Sequence, residues 1–262
     1  MEAELDAIVG LDEVKTFVRD IARNVQAQQR RKAQGMTAAT VNMHMIFAGN
    51  PGTGKTTIAR ILAKYLKAIG ALRGGQLVEV TRADLVGRYV GHTAPLTNQV
   101  IQSALGGVLF IDEAYSLYRG QDDSFGLEAI DTLVKGIEDH RDDLVVILAG
   151  YTREMQQFLS ANSGLESRFP NQIEFPDYSG EQLWRIAQSI AAGKGYVMDP
   201  SCEMPLKTYF DRKQAEDAAQ NGNGRMARNV LERAILNQSK RLVADPSASL
   251  ELLLPGDFDL DD

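Results

Sequence analysis

The fold of this 262-residue chain is decided by the stretch GNPGTGKT, residues 49–56. It fits the pattern G-x-x-x-x-G-K-[ST], whose glycines let the backbone wrap a phosphate and point successive N–H groups at its oxygens. An apolar run precedes the stretch and a segment of helical periodicity follows it. The loop therefore leads into a helix N-terminus, where negative charge is favoured. A glycine turn that matched the pattern by chance would not be expected between an apolar strand and a helix. The sequence therefore predicts a nucleotide phosphate site in an α/β domain.

Two side chains of the GNPGTGKT motif carry its expected chemistry. Lys55 supplies a cation for the β- and γ-phosphates, and the hydroxyl of Thr56 is an oxygen ligand suited to Mg²⁺. ATP with Mg²⁺ is therefore the expected ligand pair. The predicted nucleotide-binding residues here are Gly49, Asn50, Pro51, Gly52, Thr53, Gly54, Lys55, Thr56 and Thr57.

A second motif, VLFIDE at residues 108–113, ends in two carboxylates. Its four apolar residues predict a buried strand, and open parallel sheets bind ligands at the carboxyl ends of their strands. Asp112 is suited to hold the Mg²⁺ shell through water, and Glu113 to orient and polarise an attacking water. Two solvated carboxylates are the alternative. Downstream of a phosphate-binding motif we favour the catalytic interpretation, and Glu113 then predicts turnover rather than ATP binding alone.

Strand-like and helix-like segments alternate along the first two thirds of the chain, which predicts a parallel α/β sheet. Beyond Pro176 the pattern is helical, apart from a glycine-rich loop NGNG at residues 221–224. We predict an α/β nucleotide-binding domain at 1–176 and a small helical lid domain at 177–262. The predicted strands are 42–48, 76–81, 108–111, 144–149 and 172–175. The predicted helices are 12–34, 55–69, 95–105, 126–140, 153–161, 180–192, 201–220 and 225–244.

Composition narrows the class of protein. Twenty-eight basic and 35 acidic residues give a net charge of −7, and no basic stripe is present, so we expect no nucleic-acid partner. The basic cluster Arg30-Arg31-Lys32 is interpreted as a solvated helix end. No apolar run is long enough to span a bilayer, and the acidic N-terminus is unlike a secretory signal. With a single cysteine, Cys202, the expectation is a cytoplasmic protein without disulfides.

Three smaller expectations follow from local patterns. The acidic end GDFDLDD, residues 256–262, is predicted to fray. Trp184 is predicted to lie in a helix core. The isolated residues His44, His92 and His140 predict no zinc site.

Taken together, these motifs resemble the AAA+ superfamily of ATPases, and in particular the group containing stage V sporulation protein K and the red-type Rubisco activase. The matching stretches run in the family's order from about residue 8 to about residue 242. They include HMIFAGNPGTGKTTIAR, RADLVGRYVGHTA, GGVLFIDEAYSL, DLVVILAGYTREM, GLESRFP, IEFPDY and NGRMARNVLERA. The resemblance implies a P-loop ATPase domain followed by a helical lid, and it does not identify the substrate.

The resemblance also implies roles for individual residues. Arg168 matches the arginine finger, which would stabilise phosphoryl charge in a neighbouring subunit's site. Arg225 matches the sensor-2 arginine, with Arg228 one turn further as the reserve candidate. The adenine-binding segment corresponds to Ile8, Val9 and Gly10, for which an apolar turn is the alternative. The fourth strand lacks the usual asparagine sensor, so Tyr151 and Thr152 are the two candidates for that role.

The segment 87–91, GRYVG, is here called the Tyr89 loop. Its triplet Tyr89-Val90-Gly91 resembles the central-pore loop of AAA+ remodelling proteins, whose aromatic ring grips an extended peptide and whose glycines let the loop move. The alternative is that Tyr89 packs in a small satellite core.

Four functions are compatible with a phosphate-binding motif of this kind. The favoured one is a ring-forming, Mg·ATP-dependent ATPase, a homohexamer, that remodels an unidentified protein. A small-molecule kinase would give the matches at Arg168, Arg225 and Tyr89 no task. A nucleic-acid motor is disfavoured by the net charge. A scaffold that uses ATP only for assembly would not need Glu113. The sequence leaves open whether the role is in sporulation, Rubisco activation or another process.

Overall fold

The computed structural model describes residues 2–260 and divides into two compact units. The first contains the chain up to Gly49 and Lys55–Phe175. The second contains Asn50–Gly54 and the chain from Pro176 onward. The five residues Asn50–Gly54, here called the phosphate loop, therefore group with the second unit although both flanking segments belong to the first.

The first unit is built on a five-stranded sheet in the order β2-β3-β4-β1-β5, and every neighbouring pair is parallel. The predicted parallel α/β architecture is confirmed. The central strands β3 and β4 are wholly buried, as expected for strands covered on both faces. The strands are β1 Met45–Gly49, β2 Leu77–Val80, β3 Val108–Ile111, β4 Val145–Gly150 and β5 Asn171–Phe175.

Helices connect these strands, as parallel neighbours require. Helix α3 begins at Lys55, directly after the GNPGTG segment, and Gly70 with φ +71° follows its end. Four short elements were not predicted: α1, α4, a 3₁₀ helix at Ala114–Leu117, and α8. The helices are α1 Glu2–Asp6, α2 Asp12–Ala33, α3 Lys55–Ala68, α4 Arg82–Leu85, α5 Thr93–Ala104, α6 Ser124–Asp139, α7 Thr152–Ala161 and α8 Ser163–Glu166.

Strand β1 begins three residues later than predicted, at Met45 rather than at residue 42. Before Met45, side chains make hydrogen bonds that backbone groups make within a strand. The ring Nδ1 of buried His44 accepts a hydrogen bond from the Val146 N–H at 3.1 Å. The side-chain amide of Asn171 donates to the carbonyls of Asn42 at 2.7 Å and His44 at 3.1 Å. Burial lowers the pKa of His44 to about 4, so the ring is a neutral acceptor at pH 7.

The second unit is mainly helical, as predicted. Its helices are α9 Gly180–Gly193, α10 Glu203–Asn221 and α11 Gly224–Ala244, with a kink in α10 at Asp217. Leu183 and Trp184 are buried in α9, which confirms the predicted helix core. An unpredicted pair of short parallel strands, β6 Val197–Met198 and β7 Leu252–Leu253, joins segments distant in sequence. Two 3₁₀ helices, Pro200–Cys202 and Pro255–Asp257, complete the unit.

The prediction that the acidic end frays is wrong for Asp257 and Phe258. Asp257 is 2 % exposed and Phe258 is 7 % exposed. The Arg241 guanidinium donates to both carboxylate oxygens of Asp257, at 2.9 and 2.7 Å, which compensates the buried charge. The predicted fraying of Asp261 and Asp262 lies outside the described residues. Within residues 2–260, no helix is both long and apolar enough to cross a membrane.

Candidate active site

The residues on either side of the phosphate loop belong to the first unit. Gly49 ends β1 with φ +150°, and a Cβ there would lie 2.4 Å from the Phe175 carbonyl oxygen, so only glycine fits. Lys55 opens α3, and its Nζ donates to the Gly49 carbonyl at 2.7 Å. Thr56 and Thr57 follow in the first turn of α3. The sequence thus brings the predicted cation and hydroxyl to a helix N-terminus, where anions bind.

The phosphate loop itself groups with the second unit. The Thr53 hydroxyl is fully buried and donates to the Asn50 carbonyl at 2.8 Å. The Tyr178 hydroxyl donates to the Thr53 carbonyl at 3.0 Å, and burial raises the pKa of that phenol to about 12. Gly52, with φ +72°, leaves no room for a Cβ, which would lie 2.1 Å from the Gly222 carbonyl oxygen. The loop is therefore fixed by contacts on several of its residues.

A carboxylate and two amides extend this network. The Asn50 side-chain amide donates to both oxygens of Asp177, at 3.0 and 2.9 Å. The Asn223 amide donates to the same carboxylate at 2.8 Å and to the Pro51 carbonyl at 3.3 Å. Asp177 thus joins the loop to the turn that precedes α11.

Arg225 lies at the start of α11, directly after this turn. Its backbone N–H donates to the Gly222 carbonyl at 2.8 Å, and its side chain is exposed. Arg228, the reserve candidate, lies on the same helix and is also exposed. An exposed guanidinium at a helix N-terminus is available to an anionic ligand.

Asp112 and Glu113 follow β3, as the sequence predicted, and both are exposed. The Asp112 N–H donates to the Val80 carbonyl at 2.8 Å, which ties the strand end to β2. The Asp112 carboxylate accepts the Glu113 N–H at 3.0 Å. Glu113 has φ +48° and ψ +44°, a left-handed conformation that turns the chain sharply after the strand. The two carboxylates are thereby held at the carboxyl edge of the sheet.

Backbone strain coincides with the predicted nucleotide motifs. Among residues 2–260, the non-glycine residues with positive φ are Leu11, Glu113 and Asn223. Leu11 follows the predicted adenine-binding residues Val9 and Gly10, and Asn223 precedes Arg225 by two positions. Such conformations cost about 1–3 kcal/mol each and persist where a site requires them. The strain therefore supports a functional interpretation of all three motifs.

The predicted adenine segment is half-buried at Ile8, Val9 and Gly10. The Lys15 ammonium donates to the Ile8 carbonyl at 2.5 Å, and Gly10 has φ +62°. The segment is therefore held by a side chain of α2 while its own apolar side chains remain partly accessible.

Arg168 follows α8 in the first unit and is half-buried. Its backbone carbonyl accepts the Asn42 amide at 3.0 Å, and its Nη1 donates to the Gly164 carbonyl at 2.8 Å. Its Nε lies 4.0 Å from the Glu138 carboxylate and has no hydrogen-bond partner. The backbone of Arg168 is thus anchored, while part of its hydrogen-bonding capacity is unused.

The two candidate sensors at the end of β4 differ in their surroundings. The Thr152 hydroxyl donates to Glu174 at 3.4 Å. Tyr151 stacks on Tyr115, with ring centroids 5.7 Å apart and an interplanar angle of 27°. Burial raises the pKa of the Tyr115 hydroxyl, and the charge of Glu113 adds to the rise. Tyr151 is therefore the candidate that contacts the segment following Glu113.

The Tyr89 loop is exposed. Tyr89 is 68 % accessible and Val90 is 87 % accessible, so the packing alternative for Tyr89 is wrong. The Tyr89 ring meets His92 edge-on at 5.5 Å. Beside the loop lies a hollow of about 410 Å³, whose lining includes Val86 and Leu96. Two large apolar side chains exposed next to a hollow are typical of a surface that binds something.

Arg82 connects α4, which leads into the Tyr89 loop, with the segment that follows Glu113. Its Nη1 donates to the carbonyls of Ser116 and Leu117 at 2.9 and 3.1 Å. Its two terminal nitrogens also bind Asp123, at 2.7 and 2.9 Å. Both side chains are at most 16 % exposed, and the Arg82 guanidinium holds the pKa of the Asp123 carboxyl below its usual value. Asp123 also caps α6 by accepting the Gly126 N–H.

Residues of this site that the sequence did not indicate include Arg82, Asn42 and Asn223. Arg82 and Asn42 belong to no recognised motif position, and only the fold reveals their partners. Asn223 had a signal that was available. Asparagine between two glycines favours positive φ, because its short side chain tolerates that backbone conformation.

Known proteins match this chain over both units. The profile of the ATPase family associated with various cellular activities, AAA, matches residues 45–177, and that of the AAA lid domain matches residues 179–262. Stage V sporulation protein K of Bacillus subtilis is 47 % identical over 93 % of this chain and 76 % of its own length. Protein CbbX of Cereibacter sphaeroides is 46 % identical over 95 % and 80 %. The chloroplastic ribulose bisphosphate carboxylase/oxygenase activase of Cyanidioschyzon merolae is 44 % identical over 93 % and 83 %.

Solved structures agree in fold. A RuvB variant of Thermotoga maritima has a TM-score of 0.63 at 21 % identity, covering 97 % of this chain and 69 % of that one. The FIGL-1 AAA domain in complex with ADP has a TM-score of 0.64 at 19 % identity, covering 96 % and 80 %. A family profile over half the chain and relatives of this identity establish membership. The chain belongs to the AAA family of ATPases, in the group of stage V sporulation protein K, protein CbbX and the chloroplastic activase of Cyanidioschyzon merolae, and it is an ATP-binding, ATP-hydrolysing enzyme.

Proposed function

We propose that copies of this chain assemble into a ring of six subunits, hydrolyse Mg·ATP at sites shared between neighbours, and remodel a partner protein through the Tyr89 loop. The observation that carries this proposal is the exposed loop with Tyr89 and Val90, connected through Arg82 to the segment after Glu113. A loop that grips a peptide needs exposed apolar side chains and a link to the hydrolysis site. A small-molecule kinase needs neither.

The residues of the first unit divide the chemistry between them. Lys55 binds the β- and γ-phosphates, and Glu113 orients and polarises the attacking water. The hydroxyl of Thr56 and the carboxylate of Asp112 are hard oxygen donors, which fit Mg²⁺ and would hold it. The ion, when bound, would neutralise charge on the phosphate oxygens. Tyr151, beside Tyr115, is proposed as the sensor of the γ-phosphate.

Two arginines complete the proposed site. Arg168 of a neighbouring copy would stabilise charge on the transferring phosphoryl group. Its long side chain can place the guanidinium away from the backbone that anchors it. Its backbone anchor, the carbonyl that accepts the Asn42 amide, supports this role. Arg225 would report the γ-phosphate to the helical unit. Val9 and Gly10 are proposed to contact the adenine.

A protein partner is supported by charge and by the relatives. The net charge of −7 disfavours a nucleic-acid track. One relative is named as the activase of ribulose bisphosphate carboxylase/oxygenase. The target in that name is an enzyme, so that relative is named for a protein partner. The similarity to RuvB is limited to the fold.

The first experiment measures steady-state ATPase rate against protein concentration, with molar mass from light scattering in the same ATP-containing samples. We expect the specific activity to rise as a hexamer forms, because Arg168 acts only on a neighbour. Arg168→Ala should assemble and lose turnover, whereas Arg23→Ala, a change of an exposed arginine paired with Asp20, should assemble and keep its turnover. Activity independent of concentration in a monomer would contradict the proposal.

A mixing experiment tests the shared site directly. Arg168→Ala and Glu113→Gln are each expected to be inactive alone. In mixed rings, a subunit with an intact Glu113 can receive the intact Arg168 of its neighbour, and random mixing gives this arrangement at about a quarter of the interfaces. Recovery of activity on mixing supports a shared site. Two inactive variants that stay inactive in rings shown to be mixed would refute it.

A further inference from the structure

Asn223 is held in a conformation that favours glycine. It has φ +47° and ψ −122°, and the turn from Gly222 to Arg225 is closed by the hydrogen bond from the Arg225 N–H to the Gly222 carbonyl at 2.8 Å. This is the geometry of a type II′ turn, whose first central residue is ordinarily glycine. Asn223 is also completely buried. A side chain is therefore retained at a position where backbone preference opposes it.

The side chain of Asn223 uses its full hydrogen-bonding capacity. Its oxygen accepts the Tyr178 N–H at 2.9 Å and the Gln214 amide at 2.7 Å. Its nitrogen donates to Asp177 at 2.8 Å and to the Pro51 carbonyl at 3.3 Å. An asparagine amide offers two donors and two acceptor lone pairs, so no capacity is left over.

The same turn holds the phosphate loop at a second point. The Gly224 N–H donates to the Gly52 carbonyl at 3.0 Å. Two consecutive loop carbonyls, those of Pro51 and Gly52, are thus bound by two consecutive residues of the turn. Asp177, which accepts from Asn223, accepts from Asn50 as well. All of these contacts lie within the second unit.

We propose that Asn223 is a positioning residue for nucleotide binding: it fixes the phosphate loop to the N-terminus of α11, so that the loop and Arg225 move as one. The inference rests on the phosphate-binding role proposed above for the loop. A merely structural turn would use glycine at position 223, which adopts this backbone without strain. The strain is tolerated because the amide holds the Pro51 carbonyl and Asp177 in register.

The test compares Asn223→Gly and Asn223→Asp in the full chain. Asn223→Asp removes both donors and sets a second carboxylate beside Asp177. Asn229→Asp, which makes the same chemical change at an exposed position of α11, is the control. Melting temperature without nucleotide, affinity for a fluorescent ADP analogue, and the KM and kcat for ATP are measured on each.

For Asn223→Gly we expect only a small change in melting temperature, because relief of backbone strain offsets the loss of the buried hydrogen bonds of the side chain. Nucleotide affinity should fall and KM should rise on the order of tenfold, with a smaller change in kcat, since a hydrogen bond to the loop is lost. Asn223→Asp should weaken binding further, and Asn229→Asp should match the unaltered chain. KM and affinity unchanged in Asn223→Gly would overturn the proposal. So would a melting temperature that falls along with affinity, because Asn223 would then be structural only.

Lys55→Ala in the same assays separates this inference from the proposed function. Loss of nucleotide binding in Lys55→Ala together with normal binding in Asn223→Gly would overturn the role of Asn223 alone. Normal binding in Lys55→Ala would overturn the phosphate-binding assignment, and the inference would fall with it.

Discussion

The phosphate loop and the Tyr89 loop are both glycine-containing segments that lead toward a helix, α3 and α5 respectively, and they differ in almost every physical respect. In the phosphate loop, Thr53 is fully buried and the carbonyls of Pro51, Gly52 and Thr53 all accept hydrogen bonds. In the Tyr89 loop, Val90 is 87 % exposed. A rigid loop presents a fixed set of N–H groups to a ligand of fixed shape, whereas an exposed one can meet partners of varied sequence. The difference separates a binding site for one molecule from a surface for many.

The largest effect is expected at the carboxylate that both loops would depend on. Glu113→Gln removes the base that polarises water but keeps the shape of the side chain, so turnover should fall about 10²- to 10⁴-fold while ATP binding is kept. Steady-state phosphate release and equilibrium nucleotide binding measure the two properties. Unchanged hydrolysis would remove Glu113 from its assigned role.

A smaller effect is expected where Arg82 joins α4 to the segment after Glu113. Arg82→Met leaves Asp123 and two carbonyls without their donor, and the free energy of unfolding should fall by about 3 kcal/mol. Arg88→Met, the same change at an exposed arginine of the Tyr89 loop, should stay within about 0.5 kcal/mol. Urea denaturation of both variants gives the comparison. Equal losses of unfolding free energy in the two variants would mean that Arg88 of the Tyr89 loop stabilises the fold as much as Arg82 of α4.

The smallest effect on the isolated enzyme is expected at the tip of the Tyr89 loop. Because Tyr89 is 68 % exposed, Tyr89→Ala should change the free energy of unfolding by less than about 0.5 kcal/mol and leave basal ATPase activity intact. Casein, an extended polypeptide, should stimulate the ATPase of the unaltered chain but not that of Tyr89→Ala. Equal stimulation of both would remove Tyr89 from the proposed grip.

Periodicity and motif spacing predict the helices and strands whose limits are set by residues within them or next to them. Strand β3 was predicted residue for residue, because four apolar positions are bounded by glycines and by two carboxylates. Helix α3 was predicted to within one residue, because Gly70 follows its last turn.

Elements whose limits depend on distant side chains were predicted less well. The start of β1 is set by His44 and by Asn171, which lies 127 positions further along the chain. The end of the chain is ordered through Asp257 by Arg241, a partner that no local pattern indicates. The candidate site divides in the same way: the GNPGTGKT and VLFIDE motifs are contiguous, whereas the roles of Asn42, Arg82 and Asn223 depend on contacts across the fold.

The assignment of the phosphate loop to the second unit has a consequence for chimeras built from relatives of this chain. A crossover at Pro176 would exchange the helical unit but leave five of its residues, Asn50–Gly54, with the original parent. The turn before α11 would then come from one parent and the phosphate loop that it contacts from the other. Gene shuffling in this family should therefore transfer two segments together, and a fragment beginning at Pro176 lacks a part of the unit it is meant to represent.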